Sequence, residues 1–138
     1  MTLAGGLSGC TARTGEDRLD ERGRIEIRID GESVDLSADR FQAEHADDYA
    51  MEFHLHEGDD HWYMEGRERV TVAEALDLLP HIGFAITDDR QVLTIDDTTY
   101  DERDEHVEIT VHVGEEPVNP DAYELRDGDA ILVDVRTT

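Results

Sequence analysis

Phe53–Gly66 reads FHLHEGDDHWYMEG. Taken as two strands around the turn at residues 57–60, it sorts its side chains by a period of two. Phe53, Leu55, Trp62 and Met64 share one face, and Glu52, His54, His56, His61, Tyr63 and Glu65 share the other. Gly58-Asp59 forms the tip, where glycine tolerates positive φ. This register sets His56 opposite His61, His54 opposite Tyr63 and Glu52 opposite Glu65. The wholly apolar face must be covered, and the next segment offers the cover. RVTVAEALDLLPHIG, from Arg69, reads as a helix: Thr71 and Glu74 match a capping box, and Val72, Leu76 and Leu79 form an apolar stripe at helical spacing. Pro80 and Gly83 stop it, and Glu74 and Asp77 face water.

The flanking segments are strands with one buried face. RIEIRID (24–30) alternates Ile25, Ile27 and Ile29 with charge, and HVEITVHV (106–113) alternates Val107, Ile109, Val111 and Val113 with polar residues. VLTI (92–95) is a short strand, DDTTYDERDE (96–105) an acidic loop, and SADRFQAEHADDYA (37–50) a loop with a helical turn. YELRDGDAILVDV (123–135) turns at Asp127-Gly128-Asp129 into a last strand that buries Ile131, Val133 and Val135. One helix laid on one face of a mixed sheet buries every stripe. The expected fold is α+β, in a single domain over residues 24–138. The element order and the closing "Y-x-L-x-D-G-D-x-I" stretch of residues 123–131 resemble β-grasp, or ubiquitin-like, domains of the transcobalamin-like and soluble-ligand-binding kind. The chain ends Arg136-Thr137-Thr138 and not Gly-Gly, which argues against carrier chemistry of the sulfur-carrier sort.

The 138 residues carry 12 Lys+Arg, all of them arginine, against 36 Asp+Glu, for a formal net charge of −24. The acid is spread along the chain and interleaved with period-2 apolar patterning, so it reads as the coat of a folded domain. The pattern resembles proteins of salt-loving archaea. In molar salt the Debye length falls to roughly 3 Å, which screens the self-repulsion. A field this negative disfavours nucleic acid and anionic membrane surfaces as direct partners and favours cations.

Leu7-Ser8-Gly9-Cys10 resembles a lipobox, the site where secreted lipoproteins are cleaved and lipidated on the cysteine, although only nine residues precede Cys10. TARTGEDRLDERG (11–23) is polar and charged and suits a disordered tether. Residues 1–23 are therefore expected to be a signal remnant and tether. The expected location is extracytoplasmic and lipid-anchored through Cys10, with a membrane protein as a conceivable partner. A cytoplasmic chain with an idle thiol is the alternative.

The polar face of the hairpin is the candidate site. Cross-strand neighbours have Cβ atoms about 5 Å apart, close enough for two imidazoles to share one ion. His54, His56 and His61 are the candidate ligands, with Glu52, Glu65, Tyr63 or His112 as additional ones. Imidazoles with a carboxylate suit zinc, copper, nickel or iron. A solvated polar face without metal explains the same residues, and so does a partner-binding face. Leu55-His56-Glu57, His61, Val72-Ala73-Glu74-Ala75 and Leu125–Ile131 resemble an uncharacterised family of prokaryotic secreted or membrane-anchored proteins with an "L-H-x-H…H-x-E" core. That resemblance implies a domain unit and no activity. HLHEGDDHWYMEG is also a near miss to the first cupin motif, with Asp60 in place of its Glu and no second motif. No Gly-rich phosphate loop, EF-hand order or Ser-His-Asp or Cys-His pairing is visible, and no catalytic residue is assigned. The expected role is a metal carrier, sensor or accessory domain. A metal-free β-grasp interaction module comes second and a cupin-like metalloenzyme third.

Overall fold

The structure, a computed structural model, describes residues 18–58 and 60–138. Its strands in chain order are β1 (Glu21–Ile29), β2 (Glu32–Ser33), β3 (His54–Leu55), β4 (His61–Met64), β5 (Ile82–Thr87), β6 (Arg90–Ile95), β7 (Thr98–Asp101), β8 (Val107–Val113), β9 (Glu116–Pro117) and β10 (Ala130–Thr137). Helix α1 (Val72–Leu78) follows β4, and two single-turn 3-10 segments, Asp39–Phe41 and Ala43–His45, precede β3. Cys10 and most of the expected tether lie outside the described residues.

Opposite ends of the chain meet at the centre. β1 and β10 pair in parallel from Arg24↔Ala130 to Ile29↔Val135, in a seven-stranded sheet of order β3-β4-β1-β10-β8-β9 with β2 on β1. The other pairings in this sheet are antiparallel. The sheet is thus mixed and the fold α+β, as the patterning requires. A parallel central pair departs from the antiparallel double-sheet jelly roll of cupins. The inward residues of β1, β8 and β10 join Phe53, Leu55, Trp62 and Met64, the buried face of α1, and Phe84 and Leu93 in one core.

α1 begins as its sequence dictates. Glu74 N–H donates to Thr71 Oγ1 at 3.2 Å and Thr71 N–H donates to Glu74 Oε1 at 2.9 Å, a complete capping box. Val72, Leu76 and Leu79 are all buried. Extended backbone at Leu79, just before Pro80, ends it.

Three features add to this reading. β1 begins at Glu21, ahead of residue 24: Leu19 N–H donates to Gly66 O at 2.8 Å, and Glu21 accepts both ends of the Arg69 guanidinium at 2.5 and 2.7 Å. The segment after α1 is a strand, β5, which pairs with β6 through a two-residue turn. Asp88 and Asp89 take positive φ there, 52° and 63°, as a primed hairpin turn demands. The acidic stretch after residue 95 is not all loop, because β7 returns along β6 to complete a separate three-stranded sheet.

Gly23 shows why β1 can cross β4. It pairs with Trp62, which is fully buried and donates Nε1–H to Asp129 O at 3.0 Å. A Cβ at Gly23 would stand 2.0 Å from that same oxygen and 2.7 Å from the indole. Only glycine lets the two strands close.

Candidate functional site

β3 and β4 pair His54↔Tyr63 and Leu55↔Trp62, the register read from the alternation. Phe53, Leu55, Trp62 and Met64 all turn into the core. The opposite face is not simply solvated. His54 is only 1 % exposed, because the chain before β3 folds back over it: the Tyr49 and His54 rings pack edge to face with centroids 5.0 Å apart, and Ala50 places its carbonyl oxygen 2.8 Å from Nδ1.

That contact defines the ring. A carbonyl only accepts, so Nδ1 carries the proton and donates it. In the neutral ring Nε2 then bears a lone pair, and it lies 2.8 Å from Glu65 Oε1. The contact has the distance of an ion pair, yet Nε2 is a buried atom with no hydrogen-bonded partner. The carboxylate oxygen is close without being placed to accept along the ring N–H direction. A lone pair against a carboxylate is repulsive, and two species relieve it: a second proton on the ring, or a cation.

His56 repeats the pattern at the rim. Its Nδ1 lies 2.9 Å from Glu44 Oε2, and its Nε2 turns to the same Glu65 Oε1 at 3.9 Å. Burial pushes the Glu44 carboxyl up, but hydrogen bonds from the Glu57 amide and the His56 ring outweigh it and hold it below its ordinary value. Glu44 is therefore a carboxylate that orients His56. The His54 and His56 rings meet edge to face at 4.7 Å, and Tyr63 packs against both. His56 and Glu65 are about one-third exposed, so the group is floored by His54 and open on one side.

Ligand atoms of His54, His56 and Glu65 all lie within 4.8 Å of one another. This is a two-histidine, one-carboxylate set. The structure thus brings together two of the three expected histidines and one of the extra ligands. His61 is not a member: its Nδ1 faces Asp60 at 3.2 Å. Glu52 stands beyond the ladder, which ends at His54↔Tyr63, and lines a neighbouring cavity. Tyr63 borders the group through its ring. His112 shares the outer face but sits on β8, with β1 and β10 between it and β4. At about 4.8 Å per strand it is too far to serve as a fourth ligand.

Glu44 and the Ala50 carbonyl were not legible in the sequence, since neither belongs to a periodic element. The same holds for a second group among the described residues, in which His45 Nε2 lies 3.6 Å from Asp39 and 3.5 Å from Glu57. All three are exposed, and surface pairs of this kind contribute little.

No helix among the described residues is long and apolar enough to cross a membrane. No protein-family model, curated protein or solved structure matches the chain.

Proposed function

We propose that this domain binds a divalent transition metal through His54 Nε2, His56 Nε2 and Glu65, without catalysis of its own. The observation that carries the reading is the buried Nε2 of His54. Its partner nitrogen is committed to a backbone carbonyl, while His56 commits its own to a carboxylate. Metal-bound histidines characteristically donate their second N–H to such groups, which sets the tautomer and aims the free lone pair. Two imidazoles and a carboxylate suit zinc, copper, nickel or iron. Three protein ligands leave positions for water or a partner's ligand, which fits a carrier, sensor or accessory role.

We read the fold as β-grasp-like, supported by the parallel pair of β1 and β10 at the sheet centre and by α1, the one α-helix among the described residues, on the shared core. An anchor at Cys10 would place the domain outside the cell, and its acid coat would suit high salt; both rest on the sequence. The second reading is a metal-free interaction module using the same face, favoured by Tyr49 and Met51, which are 42 % and 36 % exposed beside the site.

Calorimetric titration with zinc, cobalt and nickel in high salt tests the first reading. One ion should bind per chain. His56→Ala and the near-isosteric Glu65→Gln should weaken it by at least the roughly 10–100-fold that outer-shell changes produce. His61→Ala should bind like the parent. Equal binding by His56→Ala, Glu65→Gln and the parent would exclude this ligand set.

A further inference from the structure

Residues 44–51 cross the polar face of the hairpin, and none of their side chains is buried. The flanking anchors are: Ala43 before them and Phe53 after them both sit in the core. The stretch between is held by a short set of contacts. Glu44 accepts from the Glu57 amide at 2.9 Å and lies 2.9 Å from His56 Nδ1. Ala50 O accepts from the Phe53 amide at 3.3 Å and from His54 Nδ1, and Met51 O accepts from the Glu65 amide at 2.9 Å. The Tyr49 ring packs on that of His54. A segment held by a few bonds, with no buried side chain, opens at far less than the cost of global unfolding.

What this segment covers is the one ring of the site that water does not reach. With the segment shut, His54 Nε2 is buried with no hydrogen-bonded partner. An unpaired buried acceptor is costly, so without an ion the shut state is penalised, and opening hydrates the nitrogen. An ion on Nε2 removes that penalty. It also leaves Nδ1–H free to hold Ala50 O, and the Glu44 bond still aims His56. The ion therefore favours the shut state over the open one, and such a difference is what shifts a population.

We propose that residues 44–51 are a strap that opens to admit the ion and closes over His54 once it is bound. The inference rests on the metal reading above, and of the roles given there it selects the sensor. The strap carries Tyr49 and Met51, two of the chain's exposed large apolar side chains. Their placement on the surface then follows the occupancy of the site. Coupling is reciprocal, so whatever loosens the strap also weakens the ion.

The test uses the whole chain at fixed pH and high salt. Zinc binding is measured first by calorimetry. Amide exchange is then followed by nuclear magnetic resonance with zinc and with EDTA. The Phe53, Glu57 and Glu65 amides, which donate to the strap, are the reporters, and the amides of β8 are the reference. Zinc should slow the three reporters about fivefold or more beyond any change in β8. Tyr49→Ala, which removes a strap contact and no ligand, should weaken zinc about fivefold or more and speed the reporters in the apo protein. Tyr49→Phe, which keeps the ring, should behave as the parent. Zinc binding with unchanged reporter exchange overturns the inference and leaves the metal reading standing, as does parental zinc affinity in Tyr49→Ala. Absence of zinc binding overturns both.

Discussion

Gly23→Ala is the sharpest test of the packing that presents the hairpin. The new methyl would sit 2.0 Å from Asp129 O and 2.7 and 2.8 Å from two atoms of the Trp62 ring. Ordinary contact begins near 3.4 Å, so β1 and the Asp129 carbonyl must part by more than 1 Å, roughly the whole margin of a packed interface. Trp62 has nowhere to retreat, being fully buried with Nε1 committed to the same oxygen. Overpacking of this kind costs about 1–3 kcal/mol. Losing the partner of a buried indole N–H adds about 1–3 kcal/mol. The expected destabilisation is about 2–6 kcal/mol, a large part of the roughly 5–15 kcal/mol available to a domain. Urea unfolding in high salt, followed by tryptophan emission, reads it directly, because Trp62 is the chain's one tryptophan. With a slope of about 1–3 kcal/mol per molar, the midpoint should fall by about a molar or more. Trp62→Phe in the Gly23→Ala background, followed by circular dichroism because it has no tryptophan, should recover only the ring part, since the carbonyl clash persists. A midpoint shift worth under about 1 kcal/mol at unchanged slope would refute the close approach of β1 to Trp62 and Asp129.

Two further outcomes bear on the site and on acid stability. Glu44→Ala removes the acceptor of His56 Nδ1 and of the Glu57 amide; metal affinity measured by competition with a chromogenic chelator should drop about 10–100-fold, as for other outer-shell changes, with the fold intact by circular dichroism. Glu26, Asp30, Asp35, Glu44, Asp96 and Asp101 are all held below their ordinary carboxylate values by hydrogen bonds, led at Glu26, Asp96 and Asp101 by arginine partners and at Asp30 and Asp35 by hydroxyl partners. A depressed carboxyl stabilises the fold above its unfolded value and loses that contribution as pH falls through the folded one. Melting temperature should therefore hold above the ordinary carboxylate range and fall steadily below about pH 4; a melting temperature that rises on acidification to pH 3 would show that relief of charge repulsion outweighs these bonds.

The legible part of this chain was the part written in periodicity. Phe53, Leu55, Trp62 and Met64 announce a buried face because a strand alternates strictly, and all four are buried. Thr71 and Glu74 announce the start of α1 because a cap is a local bond between near neighbours. β5 and its turn were legible in principle: Ile82, Phe84 and Ile86 alternate, and Asp88-Asp89 suits positive φ, but the helix ahead of them masks the change of period. The start of β1 was hidden because the reason for its glycine, Trp62, lies on another strand.

Histidines at 54, 56 and 61 on one face of a hairpin, with Glu65 beside them, are consequences of the sequence alone, since a period of two dictates sides. Which of them converge is not. Residues 44–51 return over the hairpin, bury His54, bind its Nδ1 to Ala50 O and that of His56 to Glu44, and so aim two rings at Glu65. The topology likewise puts β1 and β10 between the hairpin and His112. Alternation fixes the face a residue occupies; the long-range return of the chain decides which atoms on that face meet.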